Sequence, residues 1–379
     1  MSLPVFISGY SEDEELYASG DDLRSASAGT GRANSPTPSV YSYSSSVDGR
    51  AMLRDLHGRT LQSTSEAYML PADTVEHSRL DLQHEMFRKK LGGLFLKPEA
   101  VRRALAPKQD MRPAVIDIGT GSGSWAIDMG RLFPHAEVVG MDLAPANLSA
   151  TPPPNCRFEC DDANLGLDHY ANSFNVVHSR LICIGITNYR ALLADIGRML
   201  RPGGIYLSIE ADLQLFDENF EAITAQNEGE PGFTWLQKVA HASHAAFKVT
   251  TVKVPVKLET WLTGCGSSQE RAPGGIDAGY MIPKWLQSMD CWEETGSKKV
   301  YFAVGAWEDD MDERQRYVAD LMSEDARTLC KSLRPLLLSY GYFPETVDKW
   351  VANADDEIRN VKAKQYIRFH CAWAIKRRD

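Results

Sequence analysis

Three glycines at alternate positions, Gly119, Gly121 and Gly123, stand in Gly119-Thr120-Gly121-Ser122-Gly123. Asp117 lies just ahead of them and Asp142 further on. Glycine lets a backbone take left-handed angles and lets a ligand approach with no Cβ in the way. Asp142, at the end of an apolar run, has oxygens that can accept both hydroxyls of a ribose. An acidic doublet, Asp161-Asp162, followed by Ala163, and a polar triplet, His178-Ser179-Arg180, also end apolar runs. His241 and His244 are spaced to share one helix face. A histidine titrates near neutrality and can take a proton from a hydroxyl or amine, so His178, His241 and His244 are the candidate bases.

These residues need elements to hold them. Ala114 to Ile118 reads as a strand, the glycines as a turn, and Ser124 to Phe133 as a helix whose Trp125, Met129 and Leu132 share a face. Ala136 to Met141 reads as a second strand, so the stretch is a βαβ unit. Asn155 to Cys160 and Phe174 to His178 are the third and fourth strands. A helix over Tyr189 to Leu200, a turn at Arg201-Pro202-Gly203-Gly204 and a fifth strand over Ile205 to Ile209 follow. Such alternation implies a parallel sheet covered on both faces. Ile282 to Met289 is a predicted helix and Lys298 to Val304 a sixth strand. Asp312 to Ser339 and residues 344–361 are predicted helices, and Gln365 to Ile375 is the last strand.

Residues 1–48 are rich in Ser, Gly and Asp and cannot bury enough apolar surface to offset their ordering entropy, so a disordered tail is expected. Residues 49–110 are predicted to form a helical cap. Leu53 and Leu56, then Leu80, Leu82, Met86, Phe87 and Leu91, recur at helical spacing, and Gly92-Gly93 gives a C-terminal stop.

The chain has 379 residues, 43% hydrophobic and 24% charged, with a net charge of −10. That balance argues against broad binding to nucleic acid or anionic membrane. No apolar run reaches the ~20 residues needed to span a bilayer. The N-terminus lacks the basic and apolar regions of a secretory signal. Seven cysteines without a C-x-x-C suggest reduced thiols and an intracellular, cytoplasmic setting. Cys156 and Cys160 have no companion ligands, so no metal is expected.

The glycine turn suits two ligand classes. A dinucleotide fingerprint would place its third glycine at 124, which here is Ser124. With Asp117 ahead of it, the turn resembles motif I of the class I S-adenosylmethionine (SAM)-dependent methyltransferases. FECDDANL resembles their adenine-holding segment, and NSFNVVHSRLI and IGRMLRPGGIYLSIE resemble the motifs after it. RLDLQHEMFRKKLGGLFLKP, RPLLLSYGY and QYIRFHCAWAIKR are similar to the fungal LaeA-like group. The resemblance implies a Rossmann-like seven-stranded α/β sheet over 111–379. The last strand would run antiparallel between strands five and six, and a lid would be inserted at about 214–280.

It further implies SAM as cofactor and S-adenosylhomocysteine (SAH) as product. The implied cofactor residues are Asp117, Gly119, Thr120, Gly121, Gly123, Trp125, Asp142, Leu143, Asp161, Asp162, Ala163, His178, Ser179 and Arg180. Asp142 would hold the ribose, and Asp162, with Asp161 as rival, the adenine amino group. The implied activity is methylation of an O, N or C centre of a small-molecule acceptor. The alternative is a LaeA-like regulator acting through protein partners, which would be nuclear.

Overall fold

The computed structural model describes residues 52–65, 68–109, 111–224, 226–251 and 278–378. The predicted tail and the Gly-rich stretch 263–277 lie outside the described residues. Leu53 and Leu56 are not helical. They lie in β1 (Leu53–Leu56), which pairs antiparallel with β2 (Arg59–Gln62). His57 and Gly58 between them have φ of 50° and 78°. A two-residue turn with both φ positive matches the twist of a hairpin, and this local geometry overrides the helical spacing of the leucines. The cap is therefore a hairpin plus two helices, α1 (Thr74–Leu91) and α2 (Pro98–Ala104). Asp73 caps α1 by accepting from the Glu76 N–H at 3.0 Å, and Gly92, at φ 75°, closes it.

The central unit follows as β3 (Ala114–Ile118), α3 (Ser124–Leu132), β4 (Glu137–Asp142), β5 (Cys156–Cys160) and β6 (Phe174–Arg180). Next come α4 (Tyr189–Met199), β7 (Leu200–Phe216), α5 (Trp235–Thr251), α6 (Ala278–Gln287) and β8 (Trp292–Ala303). The chain continues through α7 (Glu313–Ser332), α8 (Arg334–Tyr340), α9 (Pro344–Arg359) and β9 (Tyr366–Lys376). The sheet order is β5-β4-β3-β6-β7-β9-β8, and β9 pairs antiparallel with both neighbours. All five residues of β3 are buried, as a strand covered on both faces requires. The chain leaves β3 toward β4 and β5, then returns to β6 on the other side. The crevice above β3 and β6 is thus the topological switch point.

One face of the sheet packs on α4 and α6, with Leu192, Leu193, Ile196, Ile282 and Leu286 in its core. The other packs on α2 and α3 through Val101, Leu105, Trp125 and Met129. Leu132 does not join them. It is 53% exposed, because the buried stripe of α3 centres on Ala126 and Gly130 and Leu132, its last residue, falls outside that arc. A third core ties the cap to the C-terminal helices. There Phe87 of α1 meets Phe302 of β8 and Phe369 of β9 edge-on, at 5.3 and 4.9 Å between centroids.

Two irregularities in β7 matter for the site. Arg201 to Gly204, predicted as a turn, lies inside the strand as a bulge, between Leu200 opposite Phe174 and Ile205 opposite Val176. A second bulge separates Ala211, opposite Phe369, from Leu215, opposite Ile367. The predicted helix 312–339 is two helices that break at Leu333. Pro335 lacks the N–H that would continue the ladder. Among the described residues no helix is long and apolar enough to cross a membrane.

Candidate functional site

Gly119, Gly121 and Gly123 all have positive φ, between 56° and 78°. The N–H groups of Gly119 and Thr120 donate to the Met141 carbonyl at 2.8 and 2.9 Å, which folds the turn back onto β4. Asp142 then faces the turn, its Oδ2 accepting from the Gly121 N–H at 2.8 Å and its Oδ1 from the Ala144 N–H at 3.2 Å. Burial pushes the Asp142 pKa up against those two bonds. Asp117, beneath the turn, accepts from Thr120 Oγ1 at 2.8 Å and from His178 Nδ1 at 2.7 Å. Burial lowers the His178 pKa although Asp117 opposes the shift, so the ring is held neutral with its proton on Nδ1. Its face stacks on Trp125 at 3.8 Å between centroids.

A cavity of about 250 Å³ opens at the carboxyl ends of β3, β4 and β6. One half is walled by the glycine turn, Asp142-Leu143, Asp161 to Asn164 and the segment from Arg180 to Ile186. Asp161 uses Oδ1 on the Asp162 N–H and Oδ2 on His169. Asp162 uses Oδ1 on Asn164, and its Oδ2 has no hydrogen bond among the described residues. Arg180 lies over the Phe87 ring, 5.4 Å from its centroid, with one nitrogen 3.4 Å from His84 Nδ1. Among the described residues it meets no carboxylate at salt-bridge distance, and burial lowers its pKa.

The other half runs between α5 and α7 and is largely apolar, with Leu236, Val239, Phe247, Met322, Leu329 and Leu333 on its wall. Where the halves meet, α1 and α7 contribute a buried ionic group. Arg79 donates to Glu76 Oε1 from Nε at 3.0 Å and Nη2 at 2.6 Å, and from Nη1 to Asp325 Oδ1 at 2.7 Å. Gln83 donates to both oxygens of Asp325 at 3.3 and 3.2 Å, and Ser332 Oγ donates to Glu76 Oε2 at 2.6 Å.

Residues 115–204 match the model of a methyltransferase domain. The secondary metabolism regulator laeA of Coprinopsis cinerea is 30% identical over 325 residues, which cover 85% of this chain and 73% of that protein. This chain belongs to the LaeA-like class I methyltransferases. Its cofactor is SAM, the methyl donor of that class. Methyltransferase str2 of Strobilurus tenacellus is a further relative of the LaeA-like chain, 32% identical over 46% of this chain and 59% of its own length. Among solved structures, the phosphoethanolamine N-methyltransferase 2 of Haemonchus contortus in complex with SAM is 16% identical. The match covers 79% of this chain and 57% of that one, with a TM-score of 0.38.

The LaeA-like cavity brings together Asp117, Gly119, Thr120, Gly121, Asp142, Leu143, Asp161, Asp162, Ala163, His178 and Arg180. Three predicted residues are off its wall. Gly123 is the N-cap of α3, packed near Leu148 and Phe158. Trp125 is buried beneath His178, with its Nε1 donating to the Leu94 carbonyl at 2.9 Å. Ser179 alternates away from His178 along β6 and its Oγ lies 2.9 Å from the Tyr206 hydroxyl. On α5 the cavity-lining positions are Leu236, Val239, Ala240, Ser243 and Phe247, and the predicted bases His241 and His244 are not among them. Of the three histidines only His178 faces the cavity.

The motifs did not point to Tyr68, Arg79, Asp212, Glu210 or Asp325. Glu210 had one signal, a charge ending the apolar run of β7. It is fully buried and accepts from the N–H groups of Ile182 and Cys183 at 3.1 and 3.3 Å and from the Tyr189 hydroxyl at 2.9 Å. It thereby pins the cavity-lining segment after β6. Burial pushes its pKa up to about 7. An unfolded glutamate releases its proton near its ordinary 4.5 while the folded one still holds it. Stability should therefore fall as pH rises between those values and level off above, by about 3 kcal/mol in all. Urea unfolding at pH 5 and pH 8 of wild type and Glu210→Gln checks this. Equal pH slopes in both proteins would exclude Glu210 as the source.

Proposed function

We propose that the chain methylates an O, N or C centre of a small-molecule acceptor, with SAM in the half of the cavity built on the glycine turn and the acceptor in the apolar half. The observation that carries this reading is the continuity of the two halves in one cavity. A methyl donor in the first half and an acceptor in the second would share one space. When bound, SAM supplies a methyl group already activated on a sulfonium. The protein has then to hold the reactants in line and exclude water, and a largely apolar chamber suits that task.

The residues fit the cofactor. A Cβ at Gly119 would fill the cradle. Asp142 would hold the ribose diol beside the Gly121 N–H. Asp162, which has an oxygen to spare, would take the adenine amino group in preference to Asp161, whose oxygens are both engaged. Arg180, half-buried and without a carboxylate partner among the described residues, suits the carboxylate of the methionine end. Asp117 and the neutral His178 would support the turn from below.

A second reading has its own support. Relatives covering most of the chain are known as secondary metabolism regulators, including that of Aspergillus fumigatus at 26% identity over 93% of this chain. Such a protein would act through protein partners. The largely apolar lining of the second half favours a small acceptor.

Asp142→Ala should weaken SAH binding by about 1.5–3 kcal/mol, the worth of a charge-assisted hydrogen bond. Calorimetry on the folded variant measures it, and unchanged affinity would remove Asp142 from the site. Labelled SAM with a metabolite extract then tests for an acceptor. Transfer to protein alone would favour the regulatory reading.

A further inference from the structure

Asp212 lies in the second bulge of β7 and lines the apolar half of the cavity, on the side of the sheet. A bulge re-aims the side chains it carries, and bulges recur beside active sites. The Asp212 side chain is 15% exposed, and one of its oxygens is fully engaged. Oδ2 accepts from Arg368 Nε at 3.0 Å, from the Arg368 terminal nitrogen, and from His370 Nε2 at 3.0 Å. Arg368 is itself fixed against the Phe216 ring, 4.1 Å from its centroid. The other oxygen, Oδ1, is buried and has no partner among the described residues. An unmet carboxylate oxygen in an apolar wall carries a desolvation cost unless something else satisfies it.

A second part of the wall repeats the pattern. Ser243 is the hydroxyl-bearing member of the α5 face on the cavity. It is fully buried, and its Oγ also lacks a partner among the described residues. Two orphaned polar atoms thus interrupt an otherwise apolar chamber. A ligand pocket has this composition: apolar walls that bind, and a few polar groups that orient.

We infer that Asp212 and Ser243 anchor the acceptor, and that the acceptor is an apolar molecule bearing a hydroxyl or amine. Its O–H or N–H donates to Asp212 Oδ1, while Arg368 and His370 hold the carboxylate in place through Oδ2. Ser243 contacts the same polar group. The inference rests on the methyltransferase reading above, because it assigns the apolar half to the acceptor.

The test uses the full chain saturated with SAH and two probes of one shape, 2-naphthol and its methyl ether, 2-methoxynaphthalene. Calorimetry should show the naphthol binding about tenfold more tightly than the ether, which cannot donate. In Asp212→Asn the remaining oxygen stays with Arg368 and the amide presents N–H to the chamber, from which the oxygen of either probe can accept, so the charge-assisted bond that favours the naphthol is lost. The naphthol preference over the ether should then fall about tenfold, with SAH binding unchanged. Ser243→Ala removes only an unpartnered hydroxyl. It should keep the melting temperature and narrow the naphthol preference, so it carries the comparison if Asp212→Asn misfolds.

Equal binding of the two probes by wild type, a preference that survives both substitutions, or failure of either probe to bind the SAH-loaded chain would each overturn the assignment and leave the methyltransferase reading intact. A folded chain that binds no SAH would overturn both.

Discussion

Replacing Arg79 with alanine is expected to lower the unfolding free energy by about 3–5 kcal/mol, the usual result of removing one partner from a buried ion pair. Arg79 is the cation between two carboxylates, Glu76 and Asp325, and all three side chains are at most 4% exposed. Without it both carboxylates remain buried uncompensated. Burial already pushes the Asp325 pKa up, and Arg79 is the main opposing influence. The Glu76 pKa is held down chiefly by the same guanidinium, against its burial. The variant should therefore protonate these acids or let water in, and either outcome loosens α1 from α7. Both acids line the cavity, so SAH affinity should fall as well. Urea unfolding of Arg79→Ala beside Arg102→Ala measures the difference. Arg102 pairs with Glu99 in solvent, at 63% and 83% exposure, and should change stability by less than about 1 kcal/mol. Equal costs for the two variants would show that the buried network is not what holds the cap.

Gly119→Ala should cost on the order of 2–5 kcal/mol, felt mainly as lost SAH affinity. Two causes add. Gly119 has φ of 70°, where a residue with a Cβ is worse by about 1–2 kcal/mol. The new Cβ would also lie 2.3 Å from Ile182 Cγ2, and overpacking of that kind costs about 1–3 kcal/mol. Ile182 cannot simply swing aside. It is buried, and its N–H is held by Glu210. Gly121 makes the comparison. Its Cβ would meet the flexible end of Leu80 at 2.8 Å, so Gly121→Ala should lose less. Calorimetry with SAH on both variants tests the ordering. A Gly119→Ala protein that binds SAH as tightly as wild type would mean that the turn does not approach the ligand.

The parts of the fold that could be read from the chain are those whose signal is local. β3 is a short apolar run that stops at glycine, and Asp117, Asp142 and the Asp161-Asp162 doublet each lie within a residue or two of a strand's end at the crevice. Their place at the cavity follows from topology alone. The hairpin at Leu53 to Gln62 was not legible, because a His57-Gly58 turn outweighs a helical leucine spacing. His241 and His244 show a related limit. Spacing says that two residues share a helix face but not which face meets the cavity. Trp125 could not be assigned either way from sequence, since both of its possible roles call for a large apolar ring. Arg79, Asp212 and Asp325 carry no local signal at all, because their partners are distant in sequence and only tertiary packing brings them together.

The bond between Arg79 and Asp325 joins residues 246 positions apart. During synthesis the glycine turn, Asp142 and the acidic doublet emerge and can pair into their sheet while α7 does not yet exist. The cap helix must wait, with its arginine and its apolar face unmatched, until the last quarter of the chain arrives. Contacts this remote close late and slow folding, because the loop-closure entropy precedes any reward. Competence for SAM should therefore appear in one late step. A chain interrupted ahead of Asp325 would display every sequence motif of the cofactor site and still lack the wall that completes it.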